Sequence, residues 1–589
     1  MAQSDARFGY KAKLGRTDHN LSQPLGFTCA PGMLLPIWFD FATPGDSYYM
    51  QHDLPLLRSI QLVAPSMVDV KVHYETFFVP IQMIYQPAEN TLFSLNNIQS
   101  SVYTRSNLQN LNFPLLAYGS FASYVKTNLP NSEIRQEAFR LADLFGLCQM
   151  NFIDTSAYSS GVLSDYGANF FPWQLCAYQI IFQNYYRLDD KTQFNQYGNI
   201  DNQYDQVSFG GSAIQYWHIY QRPWDFDYYT SMYRSPIISD ANLQRVLPPD
   251  KYNQLINSFQ VGIKKDGTGV GTSNSETSAF SSYFTGTYTP TTLEENLVRS
   301  TVQIRQLFAN EKLAMITGRT KKNYDSQVLA HYGVNVPHDV KHDITMIHHD
   351  VYDLQVQEVT SLASTSDAPL GELAGKSYAA GNGKQFKFTA PCHGVMMTIF
   401  SIEPKKRYIT GFDRINSVTT AMDFPVPEFD RLGNVPMFRY ESNWQKGASF
   451  SNVDIIGWKE RYYPNKRKMP KVTFAFYGAN GINNFGAYFL TSCPFAHSSI
   501  SSGNWYAPVR TFPRPDLEEN FYIERGCLDM MCVAPYVNAF LTKNPETGEG
   551  EDWNDKPWLL YARDPFIVNS HVKCKKVSWM SKDGEPIYD

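Results

Sequence analysis

Residues 67–93 read MVDVKVHYETFFVPIQMIYQPAENTLF, and the first half of this stretch decides the fold. From Val68 to Phe78, one side presents Val68, Val70, Val72, Tyr74, Thr76 and Phe78. The other presents Asp69, Lys71, His73, Glu75 and Phe77. Strict alternation is the mark of a strand with one face on a core and the other facing something different. Valines and aromatics also suit a pleated surface. Pro80 has no backbone donor to offer a neighbour and is expected to end the ladder.

Working outward, the chain has 589 residues, which on length alone would suggest roughly four domains. Composition argues for a different division. Charged residues make up only 18 %, against about 25 % in an ordinary soluble domain, while Phe, Trp and Tyr reach 15 %. Such a chain folds rather than staying disordered, and its surface suits extensive contact with other chains, whose interface cores are aromatic and poor in charge. No apolar run approaches a bilayer span, so membrane insertion is not expected. The opening MAQSDARFGYKAKLGR lacks the apolar core of a signal peptide, so synthesis and assembly are expected in a cytoplasm. The eight cysteines form no CxxC pair, which argues against a disulfide framework or a zinc knuckle.

Residues 1–26 are polar and turn-rich and are expected as an extended N-terminal arm. Residues 32–49 read as a first strand region with Ile37, Phe39 and Phe41 on one side, closed by a Pro44-Gly45-Asp46 turn. Helices are expected at Glu133–Phe145, with Ser132 as N-cap and Gly146 as C′, and from Pro172 to Arg187. Another begins at the capping boxes Thr291-x-x-Glu294 and Thr292-x-x-Glu295. Residues 237–292 contain a Gly/Ser/Thr-rich run and read as a long surface excursion. Strands return at Phe386–Thr389, Val395–Ile402, Val472–Tyr477 and Tyr488–Leu490. Strands near both ends, with helices and loops between, fit one domain over 27–589. The expected class is mainly β: a jelly-roll β-sandwich, eight-stranded in two sheets, with large insertions.

Few motifs carry chemistry. Gly371-Glu-Leu-Ala-Gly375-Lys376-Ser377 is one residue short of a phosphate loop, and Gly267-x-Gly269-x-Gly271 leads into a polar run rather than a helix. Val336–Val351 holds His338, His342, His348 and His349 with Asp339, Asp343 and Asp350. Metal binding is conceivable there, but the stretch reads first as a polar connection. No catalytic motif appears, so no enzyme, catalytic residue, metal or cofactor is expected. Two basic clusters carry stacking rings: Lys466, Arg467 and Lys468 beside Tyr462 and Tyr463, and Lys573, Lys575 and Lys576 beside Trp579. Cations with aromatics suit single-stranded nucleic acid, although a solvated face or subunit contact explains each equally well.

Taken in order, a series of short blocks resembles the major capsid proteins of the Microviridae, in particular the gokushovirus-like ones. The blocks include His19-Asn20-Leu21-Ser22, Phe77-Phe78-Val79-Pro80, Tyr178–Arg187, Asp227-Tyr228-Tyr229-Thr230-Ser231 followed by Pro236, and His331-Tyr332-Gly333-Val334. His393-Gly394, Tyr408-Ile409-Thr410-Gly411, Pro427-Glu428-Phe429 and Gly457-Trp458-Lys459-Glu460-Arg461-Tyr462 continue it. One departure is that the family's "RPEYLGG"-like stretch is replaced here by the His/Asp-rich segment.

The resemblance implies a viral jelly roll that self-assembles into a T=1 icosahedral shell around circular single-stranded DNA. It places residues 237–292 as a surface protrusion and the protein in the virion. Implied partners are copies of itself, the packaged DNA, scaffold or pilot proteins and a host surface receptor. With a net charge of −5 the chain cannot condense DNA by bulk attraction. Basic–aromatic patches, bound cations or a small basic packaging protein must supply counter-charge. The rival reading is a jelly-roll carbohydrate-binding or carbohydrate-active protein.

Overall fold

In the computed structural model, the described residues are 16–59, 67–84, 173–187, 219–233, 344–360, 373–408, 412–418, 423–430, 433–442, 455–473 and 564–580. Short pieces at 116–117, 140–146, 169–170, 312, 316, 329–333, 491–492 and 522–523 complete them. The strands of the main body are β1 (Thr17–Asn20), β2 (Gln23–Cys29), β3 (Leu35–Ala42), β4 (Ser47–Ser59) and β5 (Val70–Pro80). After a long excursion come β6 (Thr345–Asp353), β7 (Gln355–Thr360), β8 (Leu373–Asn382), β9 (Phe386–Thr389) and β10 (Gly394–Pro404). A small hairpin, β11 (Asn434–Phe438) and β12 (Ile455–Glu460), precedes the last long strand, β13 (Phe566–Ser578).

These strands form two antiparallel sheets. One runs β1-β13-β4-β8-β7, with β2 continuing β1 along β13 and β9 continuing β8 along β4. The other runs β3-β10-β5-β6. Counting each continued pair as one strand and setting aside the edge hairpin strand β7, eight strands remain. Their chain-order positions are 1-8-3-6 in one sheet and 2-7-4-5 in the other. Chain neighbours alternate between sheets except the fourth and fifth, β5 and β6, which pair within the second sheet, and this is the double Greek key of a jelly roll. The excursions leave the sandwich after β5 and after β10.

The sheets meet through aromatics. Tyr74 lies edge-on to Phe400 at 5.2 Å and donates its hydroxyl to Ser570 Oγ at 3.0 Å across the sandwich. Phe27 meets Phe400 at 5.1 Å and Phe78 meets Phe388 at 5.2 Å. Each such side chain contributes about 1.5–3 kcal/mol when fully buried. The Pro44-Gly45-Asp46 turn joins β3 to β4 as expected, with Gly45 at φ +86°.

The opening strand is covered on both faces. Every residue of β5 except Lys71 is buried. Helix α1 (Trp173–Ile181), drawn from the excursion after β5, lies over the second face and continues as one π-helical turn, Phe182–Tyr186. Trp173 packs edge-on to Phe39 and Phe41, and Tyr185 to Phe77 at 4.9 Å. The alternate face of β5 thus serves as the floor for an insertion.

Several expectations change. Thr345–Asp353, read as polar connection, is the edge strand β6. Leu373–Ser377, the phosphate-loop look-alike, opens strand β8. The arm expected over 1–26 is extended from Thr17 onward, but there it is hydrogen-bonded along β13. The helix expected to end at Phe145 closes at Gly146 with φ +71°, as its C′ role requires. Of Val472–Tyr477, the described residues Val472 and Thr473 are not strand, and Tyr488–Leu490 lie outside the described residues. The capping boxes at Thr291 and Thr292 and the excursion 237–292 also lie outside them. Among the described residues, no helix is long and apolar enough to cross a membrane.

Candidate functional site: charged groups on the sheets

Period-two alternation along β13 divides the C-terminal lysines. Lys573 and Lys575 project from the outer face of the first sheet, while Lys576 turns inward. Lys576 is buried, with Nζ 2.9 Å from Asp40 Oδ2, 3.1 Å from Asp46 Oδ2 and 3.0 Å from the Phe41 carbonyl. Asp40 also accepts the Tyr48 hydroxyl at 2.6 Å. Lys576 is therefore a structural cation that ties β13 to the β3–β4 corner, and the three lysines do not form one patch. Lys573 pairs with Asp53 at 2.5 Å, and Lys575 pairs with Asp18 at 3.1 Å near the surface.

On that outer face, Arg58 and Lys387 are also exposed, and Lys387 sits 5.2 Å over the Tyr49 ring. A cleft of about 340 Å³ opens between β1, β4 and β13, lined among others by His19, Tyr49, Gln51, Gln385, Lys573 and Lys575.

The other basic cluster lies beyond the β11–β12 hairpin. Lys466, Arg467 and Lys468 are exposed; Lys466 pairs with Asp430, and Arg467 lies 3.8 Å from Glu460. Lys459, in the same basic run of sequence, is fully buried. It donates to the Tyr228 carbonyl beneath the Tyr228 and Tyr463 rings. Burial lowers its pKa to about 8 despite nearby carboxylates.

Two polar clusters occupy opposite faces of β5 and β6, and composition alone did not reveal them. The register sets Glu75 opposite His349 and Thr76 opposite His348. Toward the sandwich interior, His52 Nδ1 meets Asp350 Oδ2 at 2.9 Å and Nε2 meets Thr76 Oγ1 at 2.8 Å. Burial outweighs the Asp350 carboxylate and lowers the His52 pKa.

On the face beneath the insertion, Arg222 Nη1 donates to Glu75 Oε2 at 2.8 Å, and Arg222 Nε lies 3.2 Å from Glu403 Oε2. Tyr186, at the end of the π turn, donates to the same Glu75 oxygen. Burial alone would raise both carboxylates. For Glu75 the Arg222 charge and the Tyr186 hydroxyl prevail, and for Glu403 its bond to His73 and Arg222 do, so both titrate below the usual range. His73 Nδ1 faces His349 Nε2 at 2.9 Å beside Glu75, a grouping with donors suited to a metal ion. Of the His/Asp-rich stretch, His348, His349 and Asp350 are thus brought to β5, whereas His338, His342, Asp339 and Asp343 lie outside the described residues. The signal available in sequence was the alternation of β5 itself, which sets His73 and Glu75 on one face.

Residues 10–132 and 141–494 match the profile of the family described as capsid protein (F protein). The chain belongs to the Microviridae major capsid proteins. No curated protein matches it. For this F-family capsid protein the work is structural, as a subunit of an oligomeric shell in the virion. The carbohydrate alternative finds no support in the match.

Proposed function

We propose that sixty-fold repetition of this subunit builds a T=1 icosahedral shell around circular single-stranded DNA, assembled in the host cytoplasm. The family match supports the shell, and closed symmetry with repeated contacts is the economical way for one chain to enclose a volume. We assign no reaction to it.

The observation that best supports a genome-facing wall is the outer face of the first sheet. Lys387, Lys573 and Lys575 stand there around Tyr49 and a cleft with room for a phosphate or a base, and Arg58 extends the basic face at the far end of β4. Cations beside a half-buried ring fit a single strand, whose phosphates bind by charge and whose bases stack. Lys576 is removed from this role by its two aspartates. Lys466, Arg467 and Lys468 form a second, separate contact candidate. Because Lys573, Lys575, Lys466 and Arg467 already face carboxylates, the wall alone supplies little counter-charge. Bound cations or a small basic packaging protein complete the neutralisation, and scaffold or pilot proteins guide closure. Residues 237–292 are our candidate for the protrusion that meets a host receptor.

The test is packaging by particles carrying Lys573→Glu with Lys575→Glu, compared with Lys466→Glu with Lys468→Glu. The first pair is expected to lower DNA content per particle and to flatten the salt dependence of single-strand binding. Intact shells with normal DNA content in the first pair would refute this wall, as would a particle reconstruction placing that sheet face outward.

A further inference from the structure

We infer that His73, Glu75 and His349 form a binding site for one divalent transition-metal ion of the zinc class, bridging β5 and the edge strand β6. One ligand atom from each residue lies within 4.8 Å of the other two. His73 Nδ1 is 2.9 Å from His349 Nε2, and His349 Nε2 is 3.6 Å from Glu75 Oε1. In a tetrahedral site with bonds of about 2.0–2.1 Å, neighbouring ligand atoms stand about 3.3 Å apart, so these separations bracket the required edge. The imidazole rings are nearly coplanar, 17° apart with centroids 5.1 Å apart, which points the two nitrogens toward one another. That is the geometry of a shared proton, and a cation taking its place needs a turn of the partly exposed His349 ring so that the two lone pairs converge on one point.

The surrounding charges are those a metal site needs. A ligating histidine holds its orientation by giving its other ring N–H to a carboxylate. His73 Nε2 lies 3.0 Å from Glu403 Oε2. Glu75 spends Oε2 on Arg222 and Tyr186, leaving Oε1 toward the histidines. Two buried carboxylates against one guanidinium leave the cluster one negative charge when the imidazoles are neutral, so a dication is drawn in. His73 and Glu75 are buried, whereas the His349 side chain is 33 % exposed and gives the ion a way in and a place for a water ligand. Two imidazoles and a carboxylate suit zinc better than calcium or magnesium, which prefer oxygen throughout.

The experiment uses the full chain stripped with EDTA and titrated with Zn²⁺ alone, then with Co²⁺ as a spectroscopic probe. The expected result is one Zn²⁺ per chain and a visible cobalt spectrum of a four-coordinate site without a thiolate charge-transfer band. His349→Ala should weaken binding at least tenfold while His19→Ala leaves it unchanged; even losing a group that only hydrogen-bonds to a ligand costs about 10–100-fold. If His349→Ala does not fold, His349→Gln replaces it, and the wild-type cobalt spectrum stands by itself. Substoichiometric binding, a thiolate band, or equal affinity in the folded His349 variant overturns the site.

Discussion

Replacing Arg222 by Met tests whether the insertion is fastened to the sandwich by charge. Arg222 reaches Glu75 at 2.8 Å, Glu403 at 3.2 Å and Ser401 Oγ at 3.1 Å. The Glu75 and Glu403 side chains are only 7 % and 8 % exposed, so water cannot replace the guanidinium. Removing one partner of a buried ion pair costs about 3–5 kcal/mol, because the remaining charge is stranded. That is a large part of the roughly 5–15 kcal/mol that holds a domain together.

The assay is urea denaturation in EDTA, where the loss appears as a lower midpoint at unchanged slope. The sign with pH follows from the carboxylates. Both Glu75 and Glu403 titrate below their ordinary 4.5 in the wild type. Their contribution is therefore fully present above that value and is lost as pH falls through the lowered folded pKa. In Arg222→Met, burial is opposed only by the Tyr186 hydroxyl and the histidines, so the carboxylates take up protons more readily and the penalty should shrink toward pH 5. Adding Glu75→Gln and Glu403→Gln should recover most of it. A cost under about 1 kcal/mol, the worth of an exposed pair, would refute the reasoning, and so would a penalty that persists in acid.

Three further outcomes are expected. Lys459 has a folded pKa lowered from 10.5 to about 8, so the unfolded chain binds more protons between those values and stability rises with pH there. Urea melts from pH 7.5 to 9.5 should show a rise of up to about 2 kcal/mol that Lys459→Met abolishes; parallel profiles would count against the burial argument. Lys576→Met strands Asp40 and Asp46 and should cost about 3 kcal/mol, whereas Lys575→Ala should change thermal stability far less because both it and its partner Asp18 are exposed. Equal losses at the two lysines would show that the inward turn of Lys576 is wrong. Gly32 sits at φ +77°, and an added Cβ would stand 2.5 Å from Ile523 Cβ, so Gly32→Ala should cost more than about 1 kcal/mol and lower the yield of assembled particles. Normal melting and yield would contradict that.

The legible parts of the fold were those where the buried face is apolar. In β5 the valines, Tyr74 and Phe78 alternate cleanly, and in β10 a mostly apolar run from Val395 to Ile402 signals a strand buried on both sides. In β6 the pattern fails because the residues turned toward β4 include His348 and Asp350, while Met346 and Val351 are exposed. A strand with a polar interior looks like a connection. In β13 the inward row is Phe566, Val568, Ser570, Val572, Cys574, Lys576 and Ser578, and a lysine in that row disguised the period. Its neutralising partners, Asp40 and Asp46, lie more than five hundred residues earlier. The same limit applied to the Arg222 cluster, since nothing local tells that Arg222, Glu75 and Glu403 meet. Charge alone therefore overstated the basic patches, and topology had to say which cations are free.

The position of β13 has a consequence for how subunits are made. It lies between β1–β2 and β4, pairing with both along most of its length. Residues 17–29 therefore leave the ribosome long before the strand they pair with exists, and they wait beside an open edge of β4. Pairing at such sequence distance is slow to form. Until residues 566–578 emerge, the first sheet is split in two. A chain that stops short of them has an unpaired sheet edge and no Lys576 to neutralise Asp40 and Asp46. Incomplete translation products should thus fail as building blocks and go to proteolysis, so that the order of strands acts as an inspection step ahead of shell growth.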